Sequence, residues 1–258
     1  MSTPANLFGN LRTLTPSRVG VATADGTAPT RSVLDFQQAY ALARDAIHEP
    51  LDAAGIARAV APLPSRLVRS QTPDRGTYLR RPDLGRRLHA ECLIDLPAIG
   101  CDVVFVVADG LSARAVEQHV APVLKLAVER LEGWSVGPVV IASQARVAIG
   151  DEIGACLGAE FCVVLIGERP GLSVSDSLGV YITRKPAIGR MDSDRNCISN
   201  IHANGGLSHA QAAAKIAWLL KQARKIGQTG VTLKDEMVEG VIEHGAVSTG
   251  IDGYGFST

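Results

Sequence analysis

The chain predicts an α/β fold: a Rossmann-like open, mostly parallel sheet with flanking helices, preceded by an irregular N-terminal helical and arm region. Two observations carry this. Short β-branched runs at Cys101–Val107, Pro138–Ala142 and Phe161–Ile166 read as buried strands, and the segments between them have helical spacing. Each run also stops at a polar or glycine-rich turn: Asp109-Gly-Leu-Ser112, Ser143-Gln-Ala-Arg-Val147 and Gly167-Glu-Arg-Pro-Gly171. Alternating strands and helices imply parallel pairing with right-handed crossovers. Ligands of such sheets sit beyond the carboxyl ends of the strands. The three turns are therefore expected on one rim, as a binding site built from three loops.

The elements follow in order. Residues 1–31, with scattered Ser, Thr, Gly and Pro, read as an arm with at most one short strand at Arg18–Thr23. Ser32 and Asp35 suggest a capping box for a helix to about Ile47, with Val33, Phe36, Tyr40 and Leu42 or Ala43 as its apolar stripe. Between Arg66 and Arg87 lie seven arginines that no single helical face collects. Residues 1–100 are thus expected to form an N-terminal arm and helical region with an arginine-rich, subunit-facing segment. Residues 101–232 form the α/β domain. There Ser112 caps a helix ending near Gly133, with Val116, Val120, Val123, Ala127 and Leu131 inward and Pro122 expected to bend it. A short helix near Asp151–Leu157 ends at Gly158. Ser208 and Gln211 form a capping box for a helix closed by Gly227. For the tail, 233–258, no structure is predicted.

Composition excludes several classes. The 26 acidic and 26 basic residues leave no net charge to attract nucleic acid or a membrane surface. Aromatic content of 4% is too low for a base-stacking platform. No apolar run reaches the roughly 18–20 residues that span a bilayer, and no signal-peptide pattern is present. The five cysteines include no C-x-x-C pair, and Cys101, Cys156 and Cys162 fall in apolar elements, as suits a reducing cytosol.

The candidate site residues lie in polar loops. Gly167-Glu168-Arg169-Pro170-Gly171 sets two opposite charges directly after a buried strand, where glycines admit close ligand approach; a plain solvated turn is the alternative. Asp109-Gly110 reads equally as a rim contact or as a turn before the Ser112 cap. Arg195-Asn-Cys-Ile-Ser-Asn-Ile-His202 concentrates donors and acceptors in what reads as a loop. Cys197 there is a contact or packing residue before a nucleophile or metal ligand, since neither a neighbouring base nor metal-ligand spacing accompanies it. The six histidines form no ligand pair at helical spacing. No catalytic residue and no metal site is assigned. A Walker A loop, a G-x-G-x-x-G after a strand, a G-x-S-x-G elbow and the D-x-H-x-x-G pattern of many cobalamin modules are all absent from the sequence.

Several uncommon blocks stand in one order: Tyr78-Leu-Arg-Arg-Pro-Asp-Leu-Gly-Arg-Arg-Leu88, Ala108-Asp-Gly-Leu-Ser112, Arg146-Val147 with Asp151-Glu-Ile-Gly154, Leu165-Ile-Gly-Glu-Arg-Pro-Gly-Leu172, and Arg195–His202. With them, the chain from about Arg18 to Gly230 resembles the small (light) subunit of adenosylcobalamin-dependent ethanolamine ammonia-lyase. The resemblance implies a carbon–nitrogen lyase making acetaldehyde and ammonia from ethanolamine by a radical mechanism. It implies a hetero-oligomer with a large catalytic barrel subunit, adenosylcobalamin held between the two, and no activity in the small subunit alone. It also implies cofactor contacts at Val147, Glu168 and Cys197. The family often has Gly where this chain has Ala145. Many relatives carry a long N-terminal extension linked to bacterial microcompartments, whereas about 17 residues precede the matching region here. The expected location is cytoplasmic, with the microcompartment as the alternative. A non-catalytic cobalamin-binding or assembly protein is the alternative function. A self-sufficient nucleotide-binding enzyme fits less well, for want of phosphate-loop glycines.

Overall fold

A computed structural model describes residues 11, 14, 15, 18, 19 and 26–237. Its centre is one mixed six-stranded sheet: β1 (Ser65–Arg69), β2 (Cys101–Ala108), β3 (Val139–Ser143), β4 (Ala159–Gly167), β5 (Leu178–Arg184) and β6 (Arg195–Ile201), in the order β1-β3-β2-β4-β5-β6. The first three pairings in that order are parallel and the last two antiparallel. The three strands expected from apolar runs are thus the middle of the sheet. Strand β5 reverses direction there, so the sheet is mixed.

The helices are α1 (Thr30–His48), α2 (Ala53–Ala59), α3 (Arg75–Arg80), α4 (Pro82–Gly85), α5 (Ala113–Glu129), α6 (Ile149–Leu157) and α7 (His209–Ile226). Helices α2, α5 and α7 cover one face, where Val116, Val120, Val123, Ile216 and Leu220 meet Phe105, Val107, Ile141 and Val163. Helix α6 and the segment around Leu88 and Leu96 cover the other face of the parallel strands, against Val104, Val106, Val140 and Val164. Because β2, β3 and β4 are buried on both faces, their sequences are continuous apolar runs. No helix among the described residues is long and apolar enough to cross a membrane.

Capping follows the sequence in the α/β part. Ser112 accepts from Ala115 N–H at 3.2 Å, and Ser208 and Gln211 cap α7 reciprocally. Gly158 and Gly227 end α6 and α7 in the left-handed region, at φ 68° and 78°. Helix α1 departs from expectation. Pro29, not Ser32, precedes it, and no side chain caps it. Its stripe does not enter a core: Val33, Phe36, Tyr40 and Leu42 are exposed, and only Ala43 and Ala46 are buried. Small residues alone meet the body, so the large ones remain outside. The strand expected at 18–23 is absent at Arg18 and Val19, and its remainder lies outside the described residues, as does the tail after Met237.

Candidate functional site

The carboxyl ends of β2, β3 and β4 converge as predicted. Gly110 (φ 57°) packs so closely on the β4 turn that a Cβ would drive into the Gly167 carbonyl. A Cβ on Gly167 would meet the Ser112 carbonyl in turn. Leu111 N–H donates to Gly167 O at 3.0 Å. These two glycines let the first and third turns touch through backbone.

Asp109 joins the first turn to the second. Its buried carboxylate accepts from Gln144 N–H at 3.0 Å and Ala145 N–H at 2.9 Å, and it pairs with Arg75 at 3.3 Å. Burial pushes this carboxyl above its ordinary value, opposed by the Ala145 N–H and Arg75. Asp109 thus clasps the first two turns together from behind the rim, while Gly110 lies on the rim itself.

Arg75 also shows how the arginine-rich segment is held to the body. Four of its seven arginines serve internal ion pairs: Arg69 with Glu91, Arg75 with Asp109, Arg81 with Asp83 and Arg87 with Glu152. Tyr78, fully buried, lies between the guanidinium groups of Arg75 and Arg146, at 4.6 and 4.3 Å from its ring centre, and donates to Ala145 O at 3.1 Å. Burial raises its phenol pKa, so it stays a neutral donor. The segment is therefore stitched onto the rim and becomes one wall of the site.

An open cavity of about 500 Å³ results. All three turns line it, through Gly110 and Leu111, Arg146 and Val147, and Gly167 to Arg169; Tyr78, Pro82 and Arg86 add the arginine-rich wall. Tyr181 and Ser199 complete the other side. Glu168 is half-buried over Gly179, where a Cβ would lie 2.9 Å from its carboxylate oxygen. The carboxylate accepts from Ser177 Oγ at 2.6 Å and from Ser199 Oγ. It thereby ties the end of β4 to β6.

The segment Arg195–Ile201 corrects another expectation, for it is strand β6 rather than a loop. A register shift separates the Val180–Ile198 and Leu178–Ile201 pairings, and Asn200 has φ 62°. The two inward residues Ile198 and Ile201 are therefore three apart, which hides the strand's period of two. Arg195 is not a ligand donor either: it is buried in a two-pronged pair with Asp151, at 2.6 and 2.7 Å.

Cys197 is exposed on β6 opposite Tyr181, two residues from Ser199; it borders the cavity without lining it. Although the residue is exposed, partial desolvation of its sulfur raises the thiol pKa and Glu168 adds to this, opposed by a hydrogen bond with Tyr181. Tyr181 is itself pushed up to about 12, first by burial. A raised thiol pKa disfavours the thiolate that a nucleophile needs. Of the sequence-predicted residues, then, Val147 and Glu168 line the cavity and Cys197 lies beside it. Tyr78, Arg86, Arg146, Tyr181 and Ser199 were not named as site residues, although Arg146 lies in the second turn, Ser199 in the donor-rich Arg195–His202 segment, and Tyr78 and Arg86 in the arginine-rich block; only Tyr181 carried no signal. Among the described residues, no group of three or more His, Cys, Asp or Glu is placed to hold a metal ion.

Comparison with known proteins bears on this geometry. Residues 5–234 match the family model described as ethanolamine ammonia-lyase light chain (EutC). The chain is 48% identical over 241 residues to an ethanolamine ammonia-lyase small subunit of Azotobacter vinelandii, covering 90% of this chain and 89% of that one. It is 46% identical over 254 residues to one of Rhodococcus erythropolis, covering 95% and 96%. A Pseudomonas fluorescens (strain SBW25) small subunit shares 47% over 243 residues, covering 90% and 87%.

Proposed function

The chain belongs to the ethanolamine ammonia-lyase light-chain family, the small subunit of a lyase, and from that premise we propose that its three-loop cavity grips adenosylcobalamin against the large catalytic subunit. The observation that carries this is the meeting of all three polar turns, with Val147 and Glu168, around one open cavity bordered by Cys197. The donor set suits the group. A carboxylate, a serine hydroxyl and guanidinium groups face the space, matching a ligand rich in amides and hydroxyls. Arg146 Nε is moreover buried with no acceptor among the described residues.

When bound, adenosylcobalamin supplies the radical that abstracts hydrogen from ethanolamine on the way to acetaldehyde and ammonia. The residues of this chain bind and orient. Glu168, held by Ser177, presents its carboxylate to the ligand's donors. Cys197 and Tyr181, both neutral, offer polar contact without a competing nucleophile. Val147 supplies an apolar edge. The groups for ammonia migration belong to the large subunit in this reading, so the chain alone should not turn over. The exposed stripe Val33-Phe36-Tyr40 on α1, with Arg66 and Arg80, which form no salt bridge among the described residues, supports a docking surface for that subunit. We place the complex in the cytoplasm.

The test is Glu168→Gln in the assembled enzyme. It keeps shape but removes charge, so the dissociation constant for adenosylcobalamin should rise about ten- to hundredfold, on the order of 1–3 kcal/mol. Turnover at saturating cofactor should stay within about tenfold of wild type. Unchanged affinity with collapsed turnover would place Glu168 in the chemistry and overturn the proposal.

A further inference from the structure

We infer that Arg86 and Arg146 form an anion subsite within the cavity, built for a phosphate ester; this rests on the reading of the cavity as the cofactor site. The backbone brings the two arginines together. Arg146 N–H donates to Gly85 O at 2.8 Å, and a Cβ on Gly85 would lie 2.9 Å from Arg146 Cγ. Glycine at 85 thus admits this close approach of Arg146 to the residue before Arg86, and both arginines line the cavity.

Their charges are not spent. Arg69, Arg75, Arg81 and Arg87 each have a carboxylate partner, whereas Arg86 has neither carboxylate nor acceptor among the described residues. Arg146 is fixed by stacking on Tyr78 and by one bond, from Nη2 to Tyr78 O at 3.2 Å. Its Nε is left without an acceptor.

Of the carboxylates that line the cavity, Glu168 accepts from hydroxyl groups and Asp192 is open to solvent. Glu168 holds Ser177 and Ser199, and Asp192 lies 3.6 Å from Arg195. Arg86 and Arg146 thus face the cavity with no carboxylate partner among the described residues, and Arg169 joins Glu168 in the same lining. A planar guanidinium held by stacking matches the paired oxygens of a phosphate. The phosphate of cobalamin's nucleotide arm is the anion these two arginines would take, and Glu168 would face amides and hydroxyls.

The experiment uses the complex with the large subunit and equilibrium dialysis with two probes that differ only by a phosphate: adenosylcobinamide and adenosylcobinamide phosphate. Wild type should bind the phosphorylated form at least about tenfold more tightly, a charge-assisted bond or more. Arg86→Gln, which breaks no internal contact, should erase most of that preference and leave adenosylcobinamide affinity unchanged. Arg146→Gln should do the same, although its seat on Tyr78 makes Arg86→Gln the deciding variant. Inorganic phosphate, as a third probe, should compete with the phosphorylated form alone. If it binds while the two cobinamides are not distinguished, the subsite takes free anion and the assignment to the cofactor falls. A preference retained in Arg86→Gln, while Glu168→Gln weakens both probes, would sink the anion subsite alone. If neither substitution changes either affinity, the cavity is not the cofactor's site.

Discussion

Asp151→Leu should cost this fold about 3–5 kcal/mol, because it strands a buried guanidinium. The side chains of Arg195 and Asp151 are 2% and 4% exposed, joined by bonds of 2.6 and 2.7 Å. After the substitution, Arg195 keeps only Thr183 Oγ1 at 2.9 Å and the Arg190 carbonyl at 3.1 Å, both neutral acceptors. Asp192 cannot take over, since it lies 3.6 Å away with a side chain 91% exposed to screening water. Removing both charges tells a different story. Arg195→Met with Asp151→Leu deletes the desolvation cost along with the attraction, so the double variant should regain most of the loss, a coupling of about 3 kcal/mol. Urea unfolding followed by circular dichroism reads both. With a slope of about 2–3 kcal/mol per molar, the single variant's midpoint should fall by roughly 1–2 M. A loss under about 1 kcal/mol, or a double variant less stable than the single one, would refute the pair as the brace beneath β6.

Gly110→Ala must place a methyl against Gly167 O at φ 57°, so it should cost about 3 kcal/mol and lower Tm by roughly 6–12 °C; a shift under about 2 °C would mean the two turns can part. His119, whose Nδ1 lies 2.9 Å from His209 Nε2, has its pKa lowered first by burial and then by His209, with Asp176 opposing. The unfolded chain therefore binds a proton, near an ordinary pKa of about 6.5, that the folded chain resists. Stability should fall as pH drops from neutrality through that value, and His119→Gln should flatten the decline. An unchanged slope in urea titrations across that pH range would count against it.

The central strands and their turns were legible because β2, β3 and β4 are buried on both faces and so are continuous apolar runs, each stopped at a polar or glycine-rich turn. From parallel order alone, the turns had to share a rim, and Val147 and Glu168 came with them. Other features depend on partners distant in the chain. Strand β6 was hidden by its bulge, since Ile198 and Ile201 face one core from positions three apart. Charge carries no record of its partner. Nothing in the arginine-rich block distinguishes Arg75, paired with an aspartate 34 residues away, from Arg86, which faces the cavity without one. The stripe on α1 has helical period, but period says only that a face exists. Whether that face is buried depends on what the rest of the fold brings against it, and here the body meets Ala43 and Ala46 and leaves Phe36 and Tyr40 outside. Local pattern records backbone conformation and hydrophobic sidedness; ion pairing and solvent exposure are set only when remote segments pack.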